Sequence, residues 1–400
     1  MKKTWLLGFG FFSISITWAL YNAFVPFFLA KFLTSTTLIG FMMTIDNYFA
    51  LFLQPWIGSR SDRTNSRLGK RMPYLLIGMP LAALFGALIP WHTSLLTLVL
   101  FMVLMNLSMS LYRSPTIALM PDITKDSKRT QANGIINFMG GIGSIIAFSG
   151  GSLLYEKHVS LPFLTASVLT LICLVVLLST IKEKRDAIAY APEEEKSKIS
   201  FKGQWNRPTL FLLGAIFFWF LSYQGVEAFF TLYGTNHMHL TEGQSAFSLA
   251  FFSLAFVLAA IPSGLLGNRF GKKRIIAIGV VGLIAIFAAI SFVDALLPLR
   301  ALLLFGGICW AMININSYPF IVALGDEQSI GTRTGIYYLI SSLAAIASPP
   351  LIGGLIDLLG YSVLFYFSSG GMVIALLFLL GIRDKGLPRA IATQNGSTNI

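Results

Sequence analysis

Apolar runs succeed one another along the whole chain, at 5–32, 36–58, 73–91, 94–120, 131–155, 161–181, 208–235, 243–266, 275–293, 299–322, 332–357 and 362–381. Most reach the length of about 20 residues that a helix needs to cross the hydrocarbon core of a bilayer. Backbone polar groups in lipid must find partners within their own segment, so each run is expected to be a helix. Polar residues gather in short knots between the runs. The densest lies in Leu53–Tyr74, where Arg60, Asp62, Arg63, Arg67, Lys70 and Arg71 fall between Gly58 and Pro73. A second knot, from Gly264 to Arg274, begins 206 residues after Gly58.

Composition takes this further. The chain is 55% hydrophobic and only 12% charged, whereas soluble domains carry about 25% charged residues. After twelve spans there is room for loops, one linker and short tails, and none for a sizeable soluble domain. A net charge of +12 would suit nucleic acid if it formed one patch. Instead the basic residues alternate between loops. With the N-terminus inside, only Lys31, Lys157 and Arg300 fall on outer loops, and Arg113 falls within a span. This asymmetry predicts a multi-pass cell-membrane protein with both termini cytoplasmic. Cys173 and Cys309 occupy separate apolar runs and offer neither a disulfide framework nor metal spacing. The first run is longer than a signal-peptide core and lacks a small-residue cleavage site, so it reads as a retained span.

The stretch 182–207 is the one long charged segment, and it falls midway. It reads as a cytoplasmic linker between residues 1–181 and 208–383, with 384–400 as a polar cytoplasmic tail. The halves match internally. Gly58, Asp62 and Arg63 correspond to Gly264, Asn268 and Arg269. Pro115, Asp122 and Arg129 correspond to Pro319, Asp326 and Arg333, an offset of 204 with both seven-residue spacings kept. Tyr21-Asn22 and Phe27-Phe28 correspond to Tyr223-Gln224 and Phe229-Phe230, an offset of 202.

Two parallel six-span repeats resemble the layout of major facilitator transporters, whose site lies near the bilayer midplane between the halves. The loop signature Gln54-Pro55-Trp56-x-Gly58-x-x-Ser61-Asp62-Arg63-x-x-Ser66-Arg67-x-Gly69-Lys70-Arg71-x-Pro73-Tyr74 resembles that of the sucrose:proton symporters, which group with the glycoside–pentoside–hexuronide:cation symporters. Ala118-Leu119-Met120-Pro121-Asp122 is similar to the same families. The resemblance implies an all-α membrane protein with 12 transmembrane helices in two pseudo-symmetric six-helix bundles, the major facilitator fold. It also implies a monomeric secondary transporter working by alternating access, with no cofactor beyond a coupling ion.

Three charged side chains fall well inside spans: Asp46, Arg113 and Glu227. Each costs about 2.5–3.5 kcal/mol at a helix centre on the insertion scale, so they should face a cavity or each other. Counted from Gly58 and Asp122, Asp46 and Arg113 differ in depth by a few residues, or about 5–8 Å at 1.5 Å per residue. They are expected to pair in the empty protein, with protonation of Asp46 or docking of a hydroxyl releasing Arg113. Asp46, Glu227 and Arg113 are thus the proton-coupling candidates. A buried pair that only fixes helix packing would also satisfy these charges.

Substrate candidates share faces with them. Trp18, Tyr21 and Asn22 on the first span echo Trp219, Tyr223, Gln224 and Glu227 on the seventh. Asn106, Ser110 and Arg113 form a stripe at i, i+4 and i+7 on the fourth, as Trp310, Asn314 and Ser317 do on the tenth. Asn47 adjoins Asp46. Rings beside amides suit a sugar, which stacks its CH-rich face and hydrogen-bonds through its hydroxyls; ordinary packing is the other reading. Gating candidates are Asp62 with Arg63, Arg67 and Arg71, and the pairs Asp122/Arg129 and Asp326/Arg333, whose repetition between halves argues against topology alone. Pro115, Pro319, Gly140-Gly141, Gly150-Gly151 and Pro349-Pro350 are expected at bends or close helix approaches.

The chain also departs from its resemblances. Plant sucrose symporters carry an aspartate about where Asn106 stands and an arginine near Ile117, so their proton site does not carry over. Sodium-coupled melibiose-type relatives place carboxylates where Ala50 and Gln54 stand, which favours protons over sodium. A membrane enzyme would need a convergent nucleophile or metal site. The four histidines lie at loops or span edges, and Gly140-Gly141-x-Gly143 sits in an apolar span. The expected function is proton-coupled uptake of a sugar, a disaccharide glucoside such as maltose or sucrose. The alternative is a proton-driven exporter of drugs or other small solutes.

Overall fold

A computed structural model describes residues 2–125, 128–183, 207–324 and 330–382. The expected tail 384–400, and all of the expected linker 182–207 except Lys182, Glu183 and Arg207, lie outside the described residues. The described chain is all helix apart from connecting turns. In order, the helices are α1 (Lys2–Ala30), α2 (Thr36–Met43), α3 (Ile45–Tyr48), α4 (Gln54–Asp62), α5 (Met72–Leu88), α6 (Leu95–Ile123), α7 (Arg129–Lys157) and α8 (Leu161–Thr180). They continue as α9 (Arg207–Asn236), α10 (Glu242–Phe270), α11 (Lys272–Ile290), α12 (Leu296–Ala323), α13 (Ile330–Leu359) and α14 (Val363–Leu380). By length and hydropathy they supply 12 candidate membrane spans among the described residues, with α2 through α4 forming one of them.

Starts and stops follow local chemistry. Ser94 and Thr97 satisfy each other's backbone N–H groups in a capping box that opens α6. Pro55, Pro73 and Pro162 stand in first turns, where a missing N–H costs nothing. Large apolar side chains stay exposed on the flanks, among them Phe52, Leu265 and Leu358. In water such patches would drive aggregation; against lipid tails they are the natural surface.

The second span departs from the expected single helix over 36–58. It breaks at Thr44, resumes as the single turn α3, and passes through a π-helical turn at Phe49–Leu53 before α4. Wide π turns of this kind insert an extra residue into the helix and concentrate at functional sites. The apolar pattern through Phe49–Leu53 runs on without a break, so hydropathy alone carries no sign of the interruption.

The residues pack as two compact units. The first comprises Met1–Pro192 with Glu227–Leu254 and Pro349–Tyr361. Within it α1 packs chiefly on α7, and also on α8 and α6, while α5 packs on α6 and α8. Glycine makes the α1–α7 contact possible: a Cβ at Gly143 would sit 2.7 Å from the Phe12 carbonyl oxygen. Phe24 of α1 stacks on Tyr155 of α7 with ring centroids 4.2 Å apart. The second unit comprises Glu193–Val226, Ala255–Ser348 and Ser362–Ile400. Its described core is α11 packed on α12 and α14, and the buried Asn316 amide of α12 donates to the Ser263 carbonyl of α10 and the Met312 carbonyl of its own helix.

Candidate substrate and proton site

In the first unit, α1, α3, α6 and the 227–236 part of α9 bring the sequence candidates together. Asp46 sits in the short turn α3, between the break at Thr44 and the π turn. Its carboxylate interacts electrostatically with Arg113 of α6, and its charge reaches Tyr21 and Glu227. The Arg113 guanidinium lies over the Trp18 ring at 4.4 Å from the centroid, a cation–π contact worth about 0.5–2 kcal/mol. Asn106 donates from Nδ2 to the Tyr21 hydroxyl at 3.2 Å, and Asn22 donates from Nδ2 to Glu227 Oε1 at 3.2 Å.

Burial divides these residues into two layers. Tyr21 and Asn106 are fully buried and form the back wall. Trp18, Asn22, Asp46, Asn47, Arg113 and Glu227 are only half-buried. Asp46 Oδ1 and Trp18 Nε1 are buried atoms without a well-aligned hydrogen bond, close enough for the indole N–H to act on the carboxylate, and Gln54 Nε2, one residue past the π turn, makes none among the described residues. Unsatisfied buried polar atoms are rare and costly, and a cluster of them calls for a water, proton or ligand.

The second unit holds the other half of the expected list. Tyr223 stacks face to face on Trp310, with centroids 3.9 Å apart and planes 5° from parallel. Phe220 meets the same indole edge-on at 5.6 Å. Gln224 and Asn314 are half-buried. Trp219 is wholly buried, with its Nε1 making no hydrogen bond among the described residues, and so stands in packing rather than beside the half-exposed Tyr223. Ser317, expected on the same stripe as Asn314, is buried against the Tyr337 hydroxyl at 3.0 Å.

The basic loop is organised around Arg71. Its Nε donates to Asp122 at 3.0 Å, its Nη2 to Asp62, and its Nη1 to Ser61 and to the Gly58 carbonyl. Burial pulls the guanidinium pKa down, but the hydrogen bonds and charges of Asp122 and Asp62 outweigh it and hold the group above its ordinary value. Asp122, expected beside Arg129, is thus engaged by Arg71; Arg63 and Arg67 are exposed. Arg333 is buried in the second unit, donating to Thr209 Oγ1 at 3.1 Å and to the Ile321 carbonyl. Its expected partner Asp326 lies outside the described residues.

One contributor escaped the sequence reading. Glu183, assigned there to the linker, is buried, and its carboxylate accepts the backbone N–H groups of Lys70, Arg71 and Met72 at 2.8–3.1 Å. It caps the start of α5, an anion against a helix N-terminus, and so holds the backbone of Arg71 in place. Only the charge at the end of an apolar run marks it in the sequence.

The sequence model of the Major Facilitator Superfamily matches residues 7–349 and again 235–398. The chain belongs to the Major Facilitator Superfamily. This facilitator is 24% identical over 95% of its length, and 95% of the other chain, to an uncharacterised MFS-type transporter of Methanocaldococcus jannaschii. It is 22% identical to the class B tetracycline resistance protein of Escherichia coli, over 82% of each chain. The sucrose transport protein SUT1 of Oryza sativa shares 26% identity across 37% of this chain and 31% of its own. Among solved structures, the nucleoside transporter NupG (a D323A mutant) superposes with a TM-score of 0.76 at 16% identity, covering 95% of this chain and 99% of that one. The fold is therefore that of the facilitators, and the protein is a membrane transporter rather than an enzyme.

Proposed function

We propose that this facilitator takes up a sugar together with a proton by alternating access, the sugar being a disaccharide glucoside such as maltose or sucrose. The observation that carries the reading is the half-buried cluster of Asp46, Trp18 and Arg113, flanked by the Asn22–Glu227 hydrogen bond. Asp46 and Glu227, whose charges act on each other, can hold one proton between them beside the Arg113 charge that acts on Asp46 without leaving a net charge stranded in the membrane. A proton on Asp46 weakens its attraction for Arg113, whose five N–H donors then serve sugar hydroxyls. The Trp18 face offers a flat apolar surface to a pyranose ring. A proton on Glu227 reduces the hold of Asn22 in the same way. The loop signature around Asp62–Arg71 and the partial similarity to a sucrose transport protein support a sugar.

Similarity to a tetracycline resistance protein over most of both chains favours the exporter reading, and one experiment separates the two. The purified protein is reconstituted into liposomes with a pH dye, and disaccharides are added with and without sodium. The expected result is sugar-dependent proton entry that ignores sodium. Absence of proton movement with every sugar, together with proton-driven extrusion of a lipophilic cation, gives the function to the exporter.

A further inference from the structure

The loop between α4 and α5 and the end of α8 enclose a cavity well apart from the candidate substrate residues. Its lining includes Arg67 and Leu68 from the loop, and Leu178, Ile181, Lys182 and Glu183 from α8 and the residues after it. It holds about 370 Å³ of empty space, counted to its open mouth. The walls are fixed. Residues 66–69 make a tight turn, in which the Ser66 hydroxyl donates to the Gly69 carbonyl at 2.7 Å and accepts the Leu68 N–H at 3.1 Å. Gly69 takes a φ of +116°, which favours glycine, and a Cβ there would overlap the Glu183 carboxylate. The turn is thus seated on Glu183, with Arg67 and Leu68 at its tip.

Two cations and one carboxylate line the cavity. Glu183 is buried, and both its oxygens are engaged by the N–H groups that open α5. Arg67 is exposed and makes no hydrogen bond or ion pair among the described residues. Lys182 is exposed, and its Nζ donates to the Leu178 carbonyl at 3.0 Å, which holds the ammonium at the last turn of α8. Such a lining suits an anion. The surface leading to it is apolar: Val168, Leu171, Ile172 and Val175 recur at i, i+3, i+4 and i+7 on α8 and are 42–64% exposed. Leu178, three residues past Val175, carries that face into the cavity, and Leu68 is exposed at the turn tip. From Val168 to Leu178 the helix rises about 15 Å, half of a hydrocarbon core of about 30 Å.

We propose that this cavity seats the phosphate of an anionic phospholipid, with Arg67 and Lys182 meeting its charge and its acyl chains lying along the Val168–Val175 face. Inorganic phosphate presents the same anion but makes no use of the apolar track. A zwitterionic headgroup adds an amine, and the one carboxylate in the cavity is already engaged. Basic pockets between helices on the Lys- and Arg-rich side of membrane proteins take anionic headgroups in this way. The seat is independent of which solute is carried.

The test counts lipid retained by the purified full chain in native mass spectrometry. Phosphatidylglycerol or phosphatidylcholine with the same acyl chains is added at equal concentration. The parent is expected to retain phosphatidylglycerol at least about fivefold more than phosphatidylcholine, and Arg67→Gln with Lys182→Gln to bring that ratio close to one. Arg269→Gln with Arg274→Gln removes equal charge from the second basic knot and should leave the ratio near that of the parent. Phosphatidylglycerol should also raise the melting temperature of the parent, as a ligand of the folded state does, whereas inorganic phosphate at millimolar concentration should not. Elution volume identifies folded variants, and Lys182→Gln alone, which leaves the turn untouched, should remove part of the preference. A preference that survives in folded variants lacking Arg67 and Lys182 overturns the seat. An equal loss on removing Arg269 and Arg274 also overturns it, in favour of overall charge. Equal stabilisation by inorganic phosphate overturns the lipid and gives the cavity to a free anion.

Discussion

The Arg71 cluster on the basic loop and the Asp46 cluster inside the span are both made of aspartate and arginine, yet they are finished differently. Around Arg71 the charges meet partners: Asp62 and Asp122 on the guanidinium, and Glu183 on three backbone N–H groups. Around Asp46 a carboxylate oxygen and an indole N–H are buried without a well-aligned hydrogen bond, and the Gln54 amide nitrogen makes none among the described residues. Saturated polar networks rigidify, whereas incomplete ones are costly unless something comes to complete them. On the proposed function, the difference suits the loop to holding and the span to exchange.

Four substitutions test that division, from the largest expected effect to the smallest. Asp46→Asn should lower proton-driven accumulation by a factor of about a hundred or more, roughly 2.8 kcal/mol, while solute counterflow persists. Melting should stay level or fall, because Arg113 loses the carboxylate charge that acts on it. Accumulation at the parent level would break the comparison outright. Arg71→Ala should act on stability instead, lowering it by about 1.5–3 kcal/mol through the lost hydrogen bonds of a buried guanidinium to two carboxylates and leaving solute affinity near that of the parent; thermal melting and a binding titration read the two sides. Trp18→Leu should weaken solute binding by up to about 2 kcal/mol, the scale of a cation–π contact, with Trp18→Phe in between. Glu183→Gln should cost about 0.3–1 kcal/mol of stability, the scale of an anion at a helix start, and leave binding unchanged.

The spans were legible because lipid imposes a single simple demand on each of them, a long apolar run. So was the Asp46–Arg113 relationship, because charges in such runs are few and helix rise fixes their depth. What stayed hidden depends on partners distant in the chain. Glu183 is 113 residues from the Lys70 N–H that it accepts, and Asp357 is 321 residues from the Thr36 N–H. Each stands near a span end, where a carboxylate reads as ordinary solvation. The break at Thr44 was hidden for another reason, since Phe49–Leu53 is as apolar as any regular helix. Trp219 shows the converse: an indole at the right spacing beside Tyr223 need not face the same space.

The direct backbone seating of Gly143 on Phe12 carries a consequence for how the first unit can yield. With their backbones in direct contact at that point, α1 and α7 are expected to travel as one strut. Asn22 rides on one member of that strut and Tyr155 on the other, and each grips the segment that carries Glu227 and Glu242. Neither grip can be surrendered alone, so separation there is expected to be an all-or-none event with no half-undone intermediate.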